Sequence, residues 1–259
     1  MRIPRIYVEA ALTVGQQVRL EPQAHHHIVN VLRYHTGQSV VLFNGRGGEY
    51  AGTLTHVNRS YSVAAIARYI ECHRESQLET TLLQGIARQD PMDYALQKAV
   101  ELGVSAIQPL LTERCAIRLN NDRMPNKYRH WQSLITAACE QSGRTRIPSL
   151  HWPLTLNEGL ITHNRQQGIV LDVNAKVSLA NISSGVDSVS ILVGPEGGLS
   201  ESELALAEKH GFIRINLGPR ILRTETAGVA ALSAIQMLWG DLGTKNIAPY
   251  LGKLINTCS

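Results

Sequence analysis

Two short stretches hold the residues best placed to do chemistry. The first, LVGPEGGLSESE, runs from Leu192 to Glu203, where an apolar strand feeds a glycine-rich turn and the turn feeds a helix. Backbone N–H groups at a helix start attract anions, so such turns often hold phosphates. Here Glu196 stands in the middle of the turn, and a phosphate would meet its carboxylate at close range. The loop Gly194-Pro195-Glu196-Gly197-Gly198 lacks a Lys-Ser/Thr pair and does not read G-x-G-x-x-G. It is therefore neither a P-loop nor a dinucleotide fingerprint. Pro195 removes one donor and fixes φ, while the glycines let a ligand approach the backbone. A neutral or cationic ligand suits this loop, and so does no ligand at all, since a tight strand-to-helix turn uses the same residues. Ser200 followed by Glu203 is a capping box, which starts the next helix at Ser200 or Glu201.

The second stretch, INLGPRILRTETAG, again places Gly-Pro (Gly218-Pro219) just after a short strand. Thr224 or Thr226 is expected to cap the long helix that follows. Two such loops at the C-terminal ends of two strands would line one crevice, the place where open α/β sheets bind ligands. Arg220, Arg223 and Glu225 accompany the second loop. Arg223 and Glu225 either act on a ligand or brace the helix start as an ion pair. The triplet His25-His26-His27 suggests a metal, but consecutive helical residues point about 100° apart and cannot converge on one ion. No metal is expected, and these histidines should face solvent or a polyanion. Lys98 and Glu101 sit within one helical turn and should form a surface ion pair.

The elements that position these residues fall into two groups. Up to Cys72 the chain is β-rich. Val40–Phe43, the turn NGRGG and Tyr50–Val57 read as a hairpin, and YSVAAIARYI as a further strand. One helix over EPQAHHHIVNVLR interrupts them. Short strands with little helix predict a small β-barrel for residues 1–72. After the polar stretch Glu71–Glu79, a candidate linker, strands and helices alternate to the end. TTLLQGIA, VSAIQPLL, GIVLDV, VSILVG and FIRINLG are strands. DPMDYALQKAVELG, NKYRHWQSLITAACEQSG and ETAGVAALSAIQMLWGD are helices, the first two ended by Gly103 and Gly143. This order predicts an α/β domain over 73–259, a mainly parallel sheet with helices on both faces.

Composition bounds the function. The 259 residues carry 44% hydrophobic and 18% charged residues, ordinary for a globular chain and unlike a disordered one. A net charge of +4 permits a nucleic-acid partner without demanding one. The first 72 residues contain arginines (Arg2, Arg5, Arg19, Arg33, Arg46, Arg59, Arg68) but no lysine, facing only Glu9, Glu21, Glu49 and Glu71. Arginine's planar fork suits phosphate and base edges, although solvated surface arginines are the alternative. Cys72, Cys115, Cys139 and Cys258 form no C-x-x-C pair, which argues against a disulfide framework or zinc site and for a reducing compartment. The N-terminal MRIPRIYVEAAL lacks a signal-peptide apolar core and no apolar run reaches spanning length, so a cytoplasmic protein without a membrane partner is expected.

In order along the chain, VLRYHTGQSVVLFNGRGGEY, QKAVELGVSAIQPLLTERC, KYRHWQSLITAACEQSGRTRIP, GPEGGLSESE and LGPRILRTETA resemble the RsmE-type methyltransferases of the SPOUT superfamily. Those enzymes methylate uridine N3 in 16S ribosomal RNA. The resemblance implies a PUA-like N-terminal domain and a SPOUT domain whose C-terminal segment forms a deep trefoil knot, a rare exception to ordinary topology. It implies a homodimer, S-adenosyl-L-methionine as cofactor, and 16S ribosomal RNA or the small-subunit particle as partner. Glu196 then finds its explanation, because this cofactor carries a sulfonium cation and no phosphate. By position, Leu171, Val193, Gly194, Pro195, Glu196 and Gly197 would form one wall of the pocket, and Leu217, Gly218, Ile221 and Leu222 another. Arg223, Glu225 and Arg144 are the catalytic candidates. Arg2, Arg5, Arg33, Arg46, Glu140 and Gln141 are the candidates for RNA contact. Val170–Lys176 departs from the family by placing Asn174 where relatives carry a proline turn, which leaves the roles of Asp172 and Asn174 open. The alternatives are a SPOUT methyltransferase with another base or RNA, and a non-catalytic RNA-binding assembly factor.

Overall fold

Neighbouring apolar residues in the larger sheet point to opposite faces, and this decides the architecture. The computed structural model describes residues 3–115, 123–163, 167–182 and 186–243. Strands β1 (Arg5–Tyr7), β2 (Gln17–Arg19), β3 (Ser39–Phe43), β4 (Glu49–Val57) and β5 (Ser62–Ile70) form one sheet in the order β1-β3-β4-β5-β2. It is PUA-like and curls around Ile6, Ile28, Leu42 and Leu54, all fully buried. The strand path is open rather than a closed barrel, with β1 and β2 at its ends. The expected single helix over residues 21–33 is split into α1 (Pro22–His26) and a π-turn, His27–Val31, which Arg33 ends with φ 54°. His25 turns inward, buried, with Nδ1 2.8 Å from the Ser62 hydroxyl, so the expectation that it faces solvent does not hold.

The second sheet contains β6 (Glu79–Gly85), β7 (Ala106–Leu111), β8 (Ser149–Leu150), β9 (Leu154–Thr155), β10 (Gln167–Leu171), β11 (Ser188–Val193) and β12 (Ile213–Ile215). All pairings are parallel, in the order β12-β10-β11-β6-β7-β8, with β9 also on β7. Leu82, Ile107, Ile169 and Ile191 face α2 (Gln89–Glu101), α3 (Met124–Ser142) and α6 (Thr224–Leu238). Leu83, Leu110, Val170 and Leu192 face α4 (Leu156–Thr162) and α5 (Glu201–Lys209). A strand buried on both sides reads as a near-continuous apolar run, as Ile169–Leu171 and Ile191–Val193 do, while buried Gln84 and Gln108 interrupt β6 and β7. Gly143 ends α3 at φ 90°, a conformation that β-carbon sterics make costly for other residues. Among the described residues no helix is long and apolar enough to cross a membrane. Burial pushes the Cys139 thiol up to about 12, an inert core sulfur.

The stretch Glu71–Glu79 is no slack linker. Arg74 grips Glu49 with two hydrogen bonds (3.0 and 3.1 Å) and donates to the Gly143 carbonyl at 2.7 Å. Glu75 accepts from Arg144 Nη2 at 2.7 Å and from the Thr145 and Arg146 amides. Arg5 donates to Glu49 at 3.1 Å and to the Cys139 and Arg144 carbonyls. These bonds tie the small sheet to the end of α3.

Candidate functional site

Strands β10, β11 and β12 run parallel and stop along one edge, so their three exit loops converge. The order reverses between β6 and β11, since β7 and β8 lie on one side of β6 and β11, β10 and β12 on the other, and ligands bind at such switch points. The loops enclose a cleft of about 830 Å³. Leu171, Val193, Gly194, Pro195, Glu196, Gly197, Leu217, Gly218, Ile221 and Leu222 all line it, together with Arg223 and Glu225. The two Gly-Pro loops therefore share one crevice, as their position in the sequence suggests.

The first loop is held on three sides. Pro195 O accepts the Gly198 N–H at 2.8 Å, closing the turn. The capping box forms: Ser200 Oγ accepts the Glu203 N–H, and Glu203 returns a carboxylate oxygen to the Ser200 N–H at 2.9 Å. The other Glu203 oxygen takes the Glu113 N–H, and Arg114 donates to the Gly197 carbonyl at 3.0 Å. Glu196 accepts the Arg88 N–H at 2.8 Å, at the start of α2. This carboxylate braces the loop, and an acid is favourable at a helix N-terminus.

Neither Thr224 nor Thr226 caps α6. Arg223 occupies the N-cap position with extended backbone and makes no side-chain cap. The Thr224 hydroxyl donates instead to the Gly194 carbonyl and accepts from Gln84 Nε2 at 3.1 Å, stitching one loop to the other. Among the described residues no side chain caps the first amides of α6, and Thr224 and Glu225 of that first turn line the cleft. Gly218 has φ 107°, and a β-carbon there would meet nothing, so the backbone faces open cleft. No ion pair joins Arg223 to Glu225 among the described residues, so the bracing alternative is not what the fold adopts. Asp172 is buried and occupied: Arg214 binds one oxygen at 2.8 Å and the Asn174 N–H the other at 3.0 Å. Asn174 is exposed on the cleft wall.

Several sequence candidates lie elsewhere. Arg144 has a side chain only 8% exposed, with Glu75 and the Val100 and Val104 carbonyls saturating its guanidinium; it is an anchor, not a cleft residue. Arg5, 6% exposed, is committed to Glu49 and to backbone carbonyls, so it offers no charge to RNA. Glu140 accepts the Tyr7 N–H at 2.9 Å across the same seam, and Gln141 is exposed on α3 beside it, both outside the cleft. Arg33 and Arg46 are exposed on the small domain; Arg2 lies outside the described residues. Lys98 and Glu101 pair at 2.8 Å as expected. The cleft adds Arg88, Arg114 and Thr224, which sequence reasoning did not select. TERC around Arg114 carried a faint signal, because it stands at the end of a strand.

The chemistry of the cleft fits S-adenosylmethionine. Leu171, Val193, Leu217 and Leu222 offer apolar walls for a base, the loop backbones offer donors and acceptors, and Glu196 and Glu225 tolerate a cation. A parallel sheet with this crevice at its strand ends, joined to a small β domain, places the chain among α/β proteins that bind a small-molecule ligand there. The comparisons narrow the class. Residues 74–236 match the RNA methyltransferase domain family and residues 20–66 the RNA methyltransferase PUA domain. The ribosomal RNA small subunit methyltransferase E of Buchnera aphidicola (from Schizaphis graminum) is 34% identical over 242 residues, covering 93% of this chain and 98% of its own. A Legionella pneumophila methyltransferase solved with bound S-adenosylmethionine is 37% identical with a TM-score of 0.91, covering 93% of this chain and all of that one. The Neisseria gonorrhoeae ribosomal RNA small subunit methyltransferase E, bound to the same cofactor, is 38% identical with a TM-score of 0.87 and the same coverage. The chain belongs to the RNA methyltransferase family and is an S-adenosylmethionine-dependent RNA methyltransferase.

Proposed function

We propose that this protein methylates N3 of a uridine in 16S ribosomal RNA of the small subunit. The observation that carries the reading is the single cleft where both Gly-Pro loops meet Arg223 and Glu225. Residues Leu171, Val193–Gly197, Leu217, Gly218, Ile221 and Leu222 hold S-adenosylmethionine, which when bound supplies a methyl group on a sulfonium. Positioning of the acceptor provides much of the rate. A uridine N3 that keeps its proton is a poor nucleophile, so the chain must remove the proton and stabilise the charge left behind. Glu225, in the first turn of α6, accepts the proton directly or through one water. Arg223 and the uncapped amides of α6 place positive charge where the uracil becomes anionic.

The same reading includes a homodimer in the cytoplasm and a knotted chain path. Ile221 is 86% exposed and Val173 58%, both on the cleft, and a second copy covering that mouth would remove them from water. Helix α6 follows the edge strand β12 and packs back against β11 and α2, a course compatible with threading that supports this part of the reading.

Incubating the protein with methyl-labelled S-adenosylmethionine and either 16S ribosomal RNA or small-subunit particles tests the reading. Nucleoside mass spectrometry should find labelled N3-methyluridine. Label in another base would redirect the specificity. Calorimetric uptake of the cofactor with no label in RNA would make the chain a binding factor instead.

A further inference from the structure

The seam between the two sheets carries a feature that neither domain has alone. The turn joining β3 to β4 lies against the segment after α3, where the Gly47 N–H donates to the Thr145 carbonyl at 3.2 Å. Arg46 and Arg146 face each other there as an antiparallel bridge pair. That hydrogen bond sets the register in which facing Cα atoms approach to about 4.5 Å and the side chains leave on one face. Both arginines are exposed, and neither has an acidic side chain within ion-pair distance among the described residues. Glu75, the nearest candidate, spends its carboxylate on Arg144 and on the Thr145 and Arg146 amides.

Like charges placed directly opposite destabilise a strand pair. The fold nevertheless fixes this pair, because Arg5 and Arg74 both clamp Glu49, the first residue of β4. An anion between the guanidiniums turns the repulsion into two charge-assisted bonds, and the rigid clamp leaves little freedom to lose on binding. The exposed Tyr69 lies over Gly48, two residues along from Arg46, so closely that a β-carbon there would collide with it, and its ring packs edge-on against Tyr50. An exposed aromatic ring over the turn that sets two arginines face to face matches a nucleotide better than a free anion.

We infer that Arg46 and Arg146 form a phosphate-binding site for the RNA backbone that spans both domains, with Tyr69 stacking on a neighbouring base. The site rests on the RNA-methylating reading above and adds Arg146 and Tyr69 to it. The test uses the full chain, a 16S ribosomal RNA transcript in filter binding across a salt series, and calorimetry for S-adenosylmethionine. The double substitution Arg46→Ala/Arg146→Ala should weaken RNA binding about tenfold at 0.15 M salt. The log–log salt slope should become shallower by about 0.7 per phosphate lost, while cofactor affinity and the unfolding midpoint hold. Arg46→Lys/Arg146→Lys should keep most of the slope. Tyr69→Ala should weaken binding and leave the slope intact, since stacking releases no counterion; full affinity in that variant would overturn the stacking role. Wild-type binding with an unchanged slope in the double alanine variant overturns the phosphate site alone. Wild-type protein that binds neither the transcript nor small-subunit particles overturns the site and the substrate reading together.

Discussion

The seam and the cleft use the same side chain for opposite purposes. At the seam, Arg5, Arg74 and Arg144 are enclosed and paired, each with a carboxylate and with at least one backbone carbonyl. In the cleft, Arg220 and Arg223 are exposed with no carboxylate within ion-pair distance among the described residues. A buried guanidinium must have every donor answered, or its desolvation outweighs what it contributes. A guanidinium left open in a concave site keeps its field available for charge that arrives later. Paired arginines therefore mark architecture here, and unpaired arginines in a cleft mark chemistry.

That contrast is tested first where it is largest. Arg144→Ala strands the Glu75 carboxylate and the Val100 and Val104 carbonyls, and should cost about 3–5 kcal/mol in urea unfolding. Cofactor affinity, measured below the transition, should not move. A cost near zero would show that the seam is not held by its charges. Arg223→Ala should do the reverse. Turnover should fall about 10²–10³-fold while the unfolding midpoint and cofactor affinity stay in place. A variant that loses stability and keeps turnover would place Arg223 with the seam residues.

The two regions also differed in how far the sequence disclosed them. The cleft was legible because its signals are local. A Gly-Pro turn after a strand, and Ser200 three residues before Glu203, each dictate backbone geometry within a few residues. The seam was not, because its bonds join residues far apart in the chain. Arg5 meets Glu49 across 44 positions and Arg144 meets Glu75 across 69, and nothing near either arginine announces the partner. Read alone, both became functional candidates. Thr224 failed similarly: its capping role yielded to a tertiary acceptor, Gly194 O, supplied by a loop 30 residues away. The tract from Ser149 to Thr162 escaped because β8 and β9 have two residues each, too short to show alternation. At Ala106–Leu111 the apolar residues around Gln108 revealed a strand, but not that β8 and β9 would both pair with it.

The smallest effect tests the seam from within, through the sign of its pH dependence. Glu49 and Glu140 are both partly enclosed there, and burial raises the pKa of each. For Glu49 the hydrogen bonds and charges of Arg74, joined by those of Arg5, outweigh burial and hold the carboxyl below its ordinary value of 4.5. For Glu140 burial prevails over the Tyr7 N–H and the charges of His27 and Arg5, and the carboxyl is held above that value. A depressed folded-state pKa contributes stability that is complete above about pH 4.5 and is lost as pH falls through the folded value. A raised one works the other way: the ionised group costs stability at neutral pH, and the cost disappears on acidification toward 4.5. Glu49→Gln should therefore be less stable than wild type at pH 7, with the gap closing below pH 4.5. Glu140→Gln keeps an oxygen for the Tyr7 N–H and should be as stable as wild type or more so at pH 7, with the gap closing earlier in the acid titration. Urea midpoints at neutral and acid pH decide it. If both variants lose stability at pH 7 by the same course, the seam carboxylates act by shape, and the guanidiniums beside them do not set their charge.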